Sequence, residues 1–285
     1  IIHYGRILLT IKKDDLEVGL IYSDTLKSYE KYREAITVIE MLRKYYPDNI
    51  EILLRLSELY YKINEFNKSY DLSKLMEKME MDEKYRPQLY YLSALNLYIR
   101  NLFKESMEYI KKSEEMCIKY QNEIILSKLY RLKGNIYYDQ DDFSKSLEYY
   151  QKGLELAEKN NLYYDIVSTY NNIGNIYSIL EGKMDIAIQY YMKALAIAEK
   201  NWYTSLLLTL YINLGTIYSY TGDMDLSLEY LKKSFSLSFL LDLYEPAFTS
   251  IINMSDILVK RDEIDEALKY FNEFKKFIDR VEISE

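Results

Sequence analysis

Histidine, cysteine, tryptophan and proline are nearly missing from these 285 residues: one His, one Cys, one Trp and three Pro. With His3 as the only imidazole, no histidine-based general base, catalytic triad or zinc cluster can be assembled. The lone Cys117 rules out an internal disulfide, which fits a reducing compartment and an expected cytoplasmic location. Its acidic neighbours Glu114 and Glu115 disfavour a thiolate, so a packing role is expected for it. Eight glycines and three prolines are too few for a turn-dense all-β fold, and no Gly-rich phosphate cradle occurs. Missing too is any run of ~18 apolar residues that would span a bilayer. Basic charge is not in excess: 37 Lys and Arg stand against 45 Asp and Glu, net −8, with the signs interspersed. A duplex binder needs a basic footprint to displace counterions, so neither nucleic acid nor an anionic membrane is an expected partner.

What the chain does hold is 49% hydrophobic residues, including 33 tyrosines. A tyrosine ring packs as a large hydrophobe and still offers a hydroxyl, which suits helices that are half-buried. Carboxylates recur three or four residues from lysines, the pattern of a solvated helix face. No cofactor is expected, and the chain is read as non-enzymatic.

A phrase recurs along the sequence: Gly134-Asn135-Ile136-Tyr137, Gly174-Asn175-Ile176-Tyr177 and Gly215-Thr216-Ile217-Tyr218. Taking the small residue as a marker extends the series to Ser23, Ser57, Ala94, Gly134, Gly174, Gly215 and Ser255, spaced by 34, 37, 40, 40, 41 and 40. Twelve or thirteen residues later stands a second small residue (Ala35, Ser69, Ser106, Ser146, Ala187, Ser227, Ala267). Four further on, most copies have a bulky one (Ile39, Ile110, Tyr150, Tyr191, Leu231, Phe271). Small residues let two helices approach and large ones fill the space beside the contact. Each copy is therefore one helix hairpin, too small to bury its apolar face without a neighbour, so the copies are expected to stack. The spacing predicts hairpins over about 16–47, 50–81, 87–120, 127–160, 167–201, 208–241 and 248–280, in one solenoid over 1–285. Residues 1–14 fit the second helix of a truncated or capping repeat. Asn160-Asn161 and Asn201 are expected to end helices in the left-handed conformation, and Trp202 and Tyr163 to plug the gaps between successive hairpins. The chain opens on Ile1 and no signal-peptide pattern follows, which reads as a piece of a longer chain.

This pattern resembles the tetratricopeptide repeat family, on Tyr137, Ser146, Tyr150 and Gly153 around Gly134 and on Tyr177, Ala187, Tyr191 and Ala194 around Gly174. The first repeat has the family's 34-residue spacing and its terminal Pro47; the later ones look like the elongated, 40-residue variety of kinesin light chains and bacterial regulators. Two departures stand out: Trp is absent from the early helix position, and Ser often replaces Ala. The resemblance implies an all-α, right-handed superhelix whose first helices line a concave groove.

On the first helices, positions three and two before the marker and one after it would face that groove. They carry Arg131 and Asn135, then Asn171, Asn172 and Asn175, then Asn213 and Thr216, with Tyr138 and Tyr220 one turn on. An amide donates and accepts at once, so a row of asparagines can pair with an extended peptide backbone, and Arg131 with a carboxylate. Arg131, Asn135 and Asn172 resemble part of the carboxylate clamp of chaperone-binding repeats, though Thr209 and Asn213 replace its second basic pair. The asparagine row also resembles that of bacterial peptide-pheromone receptors. Two readings follow. One is a scaffold that binds a protein or extended peptide segment in the groove, centred on 131–216. The other is the ligand- or peptide-responsive sensor arm of a larger bacterial regulator with an upstream effector domain. Self-association into a homo-oligomer stays open beside them.

Overall fold

The computed structural model describes residues 14–284, with side chains to 278; His3 and the helix expected over 1–14 lie outside the described residues. Every α-helix and the single 3-10 turn found among them belongs to an all-α fold, with no strand. Two compact units divide the chain, Ile1–Leu162 and Tyr163–Glu285.

Unit 1 holds four helix pairs: α1 (Leu16–Ser28) with α2 (Tyr32–Arg43), α3 (Ile50–Lys62) with α4 (Phe66–Glu77), α5 (Arg86–Tyr98) with α6 (Phe103–Tyr120), and α7 (Glu123–Asp139) with α8 (Phe143–Lys159). Unit 2 holds three: α9 (Tyr163–Ile179) with α10 (Met184–Asn201), α11 (Thr204–Thr221) with α12 (Met224–Leu240), and α13 (Tyr244–Lys260) with α14 (Ile264–Ser284). Within each unit, helices pack on their neighbours in sequence, and α3, α5 and α7, like α9, α11 and α13, also touch in succession. The later pairs begin at Glu123, Tyr163, Thr204 and Tyr244, one turn before the positions the repeat spacing suggests, because Asn122 caps α7 through the Ile125 amide and the inter-pair loops are correspondingly short.

The turns follow one rule. Inside each pair a single residue takes the left-handed conformation: Glu30, Asn64, Asn101, Asp141, Gly182, Gly222 and Asp262. Between pairs the same role falls to Gln121, Asn161, Trp202 and Asp242. Asn161 thus ends a helix as expected, whereas Asn201 stays helical and Trp202 takes the strained position at φ 53°. Trp202 is also 73% exposed, so it plugs nothing. Tyr163, the first residue of α9, is exposed as well.

The small-residue code works through hydrogen bonds as much as through volume. Ser106, Ser146 and Ser227 donate to the carbonyls of the markers Ala94, Gly134 and Gly215 at 2.8, 2.8 and 2.6 Å. A hydroxyl buried at a close helix crossing needs such a partner, and a marker carbonyl supplies it. This is why Ser stands where the family pattern has Ala. Tyrosines seal the junctions beside these crossings. Tyr137 stacks on Tyr149, Tyr177 on Tyr190 and Tyr218 on Tyr230, at 5.4, 5.7 and 5.7 Å between nearly parallel rings. Lys133, Lys193 and Lys233 lie over Tyr149, Tyr190 and Tyr230.

Candidate functional site

The first helices of each unit touch in succession, and in unit 1 ion pairs link them. Glu58 on α3 and Lys128 on α7 come within 3.9 Å although a whole pair lies between them. Glu58 also pairs with Lys27 of α1 at 2.7 Å, and Arg55 makes a two-pronged contact with Asp24 at 3.1 and 3.2 Å. Burial pushes the Glu58 carboxyl up, but Lys27 and Lys128, with Lys62, outweigh it and hold it down at about 2. Lys128 also lies over the Tyr91 ring, while burial raises the Tyr61 hydroxyl against the opposing pull of Arg131. Ionic and aromatic groups therefore occupy the first helices upstream of the expected asparagine row. Sequence reasoning passed over Lys27, Glu58 and Lys128. The available signal was that Asp24 and Glu58 occupy the position one beyond the marker, where Asn135 and Asn175 stand in later copies.

Arg131, Asn135 and Tyr138 lie together on α7, all half-buried. The Asn135 amide oxygen accepts from the Tyr150 hydroxyl of α8 at 2.8 Å. Tyr150 reaches it by crossing Gly134, where a Cβ would stand 2.3 Å from its ring. Tyr138 packs against Phe143.

Unit 2 repeats the device. A Cβ on Gly174 would stand 2.6 Å from the Tyr191 ring, and the Tyr191 hydroxyl donates to the Asn175 amide oxygen at 2.8 Å. From α11, the Asn213 amide donates to Asn171 at 2.9 Å and to Asn175 at 3.3 Å. From α13, Asn253 reaches Thr216 at 3.4 Å. Asn171, Asn175, Asn213, Thr216 and Asn253 thus form a row across three first helices, with Asn171 buried and the other four half-buried. Asn172 is half-buried on the same helix, and Tyr220 is 75% exposed at the far end of α11. The row expected to meet a ligand is, in its middle, already joined to itself. In the next copy both partners change at once: Thr216 replaces Asn, and Leu231 replaces Tyr beside Gly215.

Among the described residues no group of His, Cys, Asp and Glu could hold a metal ion, and no helix is long and apolar enough to cross a membrane. Cys117 is buried, and burial pushes its thiol up to about 11 against a bond from Ser113.

A family model described as the tetratricopeptide repeat matches residues 124–200 and 165–238. The matched stretch, residues 124–238, is built of tetratricopeptide repeats. No curated protein matches its sequence. Among solved structures, the repeats resemble a signal-transduction ATPase with a tetratricopeptide repeat sensor from Pyrococcus horikoshii, at TM-score 0.74 and 20% identity over 94% of this chain and 44% of that one. They resemble the Rap conjugation gene regulator of the plasmid pLS20, solved in complex with the Phr* peptide, at 0.64 and 14% over 93% and 74%. A third likeness is to the apo quorum sensor NprR of B. thuringiensis, at 0.61 and 18% over 93% and 76%. At these identities the likeness is one of tetratricopeptide fold.

Proposed function

We propose that this repeat protein is a non-enzymatic scaffold that binds a protein or extended peptide segment on its first-helix faces, in the cytoplasm. The observation that carries this reading is the joined row of unit 2. Asn171, Asn175 and Asn213 fix one another's amides before any ligand arrives, so a bound backbone meets donors and acceptors already in place and little ordering cost is incurred. Asn172 and Tyr220 flank that row and, with Thr216 in it, complete the contact surface, while Arg131, Asn135 and Tyr138 serve the first-helix face of unit 1. The peptide-bound Rap regulator of similar fold supports the same class of ligand.

The test is peptide display against the immobilised chain, with selected peptides measured by fluorescence anisotropy. Peptides should bind Asn213→Ala about tenfold or more weakly, the loss expected when a buried polar group is orphaned. Equal binding to a variant with Asn172, Asn213 and Tyr220 all changed to Ala would remove this face from consideration.

A second reading, the sensor arm of a larger regulator, is favoured by the likeness to the sensor of the archaeal ATPase, of which this chain spans less than half. An effector domain fused upstream in the full-length gene would support it, and a gene encoding these repeats alone would not.

A further inference from the structure

The two helices that hold the joined row, α9 and α11, carry almost no charge. In α9 the only charged residue is Asp165, itself buried, and α11 has none, within a chain whose residues are 29% charged. First helices of unit 1 are ordinary by comparison: α3 carries Glu51, Arg55, Glu58 and Lys62, and α7 carries Glu123, Lys128, Arg131, Lys133 and Asp139. Burial does not account for the difference. Ile179 at the end of α9 is 54% exposed, and Ser205, Thr209 and Tyr220 of α11 are exposed as well. Solvent-facing helix positions ordinarily hold Lys and Glu. Further pairs of the same unit follow both helices, so neither face is open for want of a neighbour.

Helix geometry sorts these uncharged side chains. At ~100° per residue, the positions six before, two before, one after and five after the marker fall within ~60° of arc. On α9 they are Ser168, Asn172, Asn175 and Ile179; on α11 they are Thr209, Asn213, Thr216 and Tyr220. Both helices thus repeat one order: a hydroxyl, an amide, a second polar side chain, a large apolar one. The bonds from the Asn213 amide to Asn171 and Asn175 join them side by side. At one end the hydroxyls are spent on their own helices, Ser168 on the Tyr164 carbonyl at 2.9 Å and Thr209 on that of Ser205 at 3.2 Å. A small, closed edge therefore lies on one side of the amides and an apolar edge on the other. Charges return only in the turns beyond the apolar edge, as Glu181, Lys183 and Asp223, with both signs present. An extended segment laid over the amides turns alternate side chains to the two edges. A charged side chain on it would surrender water to a face that offers no opposite charge, so the face selects by rejection.

We propose that the segment recognised by α9 and α11 is an uncharged, extended stretch of a partner protein, about six residues long, the length that spans two helices each ~10 Å wide at ~3.3 Å per residue. Large apolar side chains stand at alternate positions of the stretch, over Ile179 and Tyr220, with small ones between them over Ser168 and Thr209. This rests on the peptide reading of the same row and adds the chemistry of what is read.

The probe is a library of synthetic peptides about eight residues long, capped so that no terminal charge enters, passed over the immobilised full chain. Retained peptides should lack Asp, Glu, Lys and Arg in their central stretch and carry large apolar residues at alternate positions there. Their affinity should change less than about twofold between ~0.05 and ~0.5 M NaCl, because no ion pair is made. A Lys placed at one of the apolar positions should weaken binding about tenfold or more. Ile179→Glu or Tyr220→Glu should restore that Lys peptide; both side chains are more than half exposed, so the fold should hold. Retained peptides with charged central stretches, or a Lys penalty that both glutamates leave in place, would overturn this assignment while the peptide reading stands. Retention of no peptide, or retention unchanged when Asn172, Asn213 and Tyr220 are all changed to Ala, would overturn both.

Discussion

The Asn175–Tyr191 bond provides the sharpest stability test of the repeat code. Tyr191 is 2% exposed and its hydroxyl has Asn175 as acceptor at 2.8 Å. Replacing Asn175 by Ala takes this acceptor away from a hydroxyl held in the core, a loss of about 1–3 kcal/mol. Alanine is the better helix former by up to ~0.7 kcal/mol, so the net loss is about 0.5–2.5 kcal/mol. Asn213 keeps its bond to Asn171, and little further is lost there. Tyr191→Phe removes the hydroxyl instead; Asn175 is half-buried and still accepts from Asn213, so about 0.5–1 kcal/mol is expected. On the Phe background the Asn175→Ala change has nothing left to orphan and should be neutral or slightly stabilising. The cycle therefore predicts a coupling of about 1–2 kcal/mol, read from urea unfolding followed by circular dichroism. In a chain this size each kcal/mol also lowers Tm by roughly 2–4 °C. The purely ligand-facing role expected of Asn175 from the sequence would leave Tm unchanged. If Asn175→Ala costs the same on the Tyr and Phe backgrounds, the bond carries no coupling energy and the reasoning fails.

Glu58 provides a pH test. Its carboxyl is held at about 2 against an ordinary 4.5. A depressed carboxylate stabilises above its unfolded value and loses that contribution as pH falls from about 4.5 through 2; the shift is worth about 3 kcal/mol. The stability gap between wild type and Glu58→Gln should be widest above pH 5 and close toward pH 2; a gap independent of pH would refute the assignment. Trp202 sits in the left-handed conformation and is mostly exposed, so Trp202→Gly should be neutral or stabilising by about 1 kcal/mol. A loss of more than about 1 kcal/mol in thermal unfolding would restore the gap-plugging role that the sequence suggested.

Much of the architecture is legible in the sequence because each repeat states it again. The marker spacing, the small residues and the left-handed turns recur as local chemistry, and local chemistry survives translation into coordinates. Helix starts were less legible: the first turns at Glu123, Tyr163, Thr204 and Tyr244 lie ahead of the apolar periodicity on which the spacing was built.

The asparagines show where residue type alone misleads. An Asn on a first helix reads as a ligand contact, because its amide offers a donor and an acceptor to whatever approaches. Asn135 and Asn175 are instead half of a two-part unit with Tyr150 and Tyr191, and a glycine marker is the third part, since only its missing Cβ lets the ring cross. The pairing was present in the sequence as a correlation between copies: Gly-Asn accompanies Tyr sixteen or seventeen residues after the Gly, while Gly215-Thr216 accompanies Leu231. The internal bond does not remove Asn175 from the ligand face. It fixes the carbonyl end of the amide and sets the side chain's orientation, which is the condition under which a polar row recognises a backbone without first being ordered by it. Folding and recognition then draw on the same hydrogen bond, so a variant that breaks it should lose stability and affinity together, whereas Asn213→Ala, which leaves Tyr191 bonded, should lose affinity far more than stability.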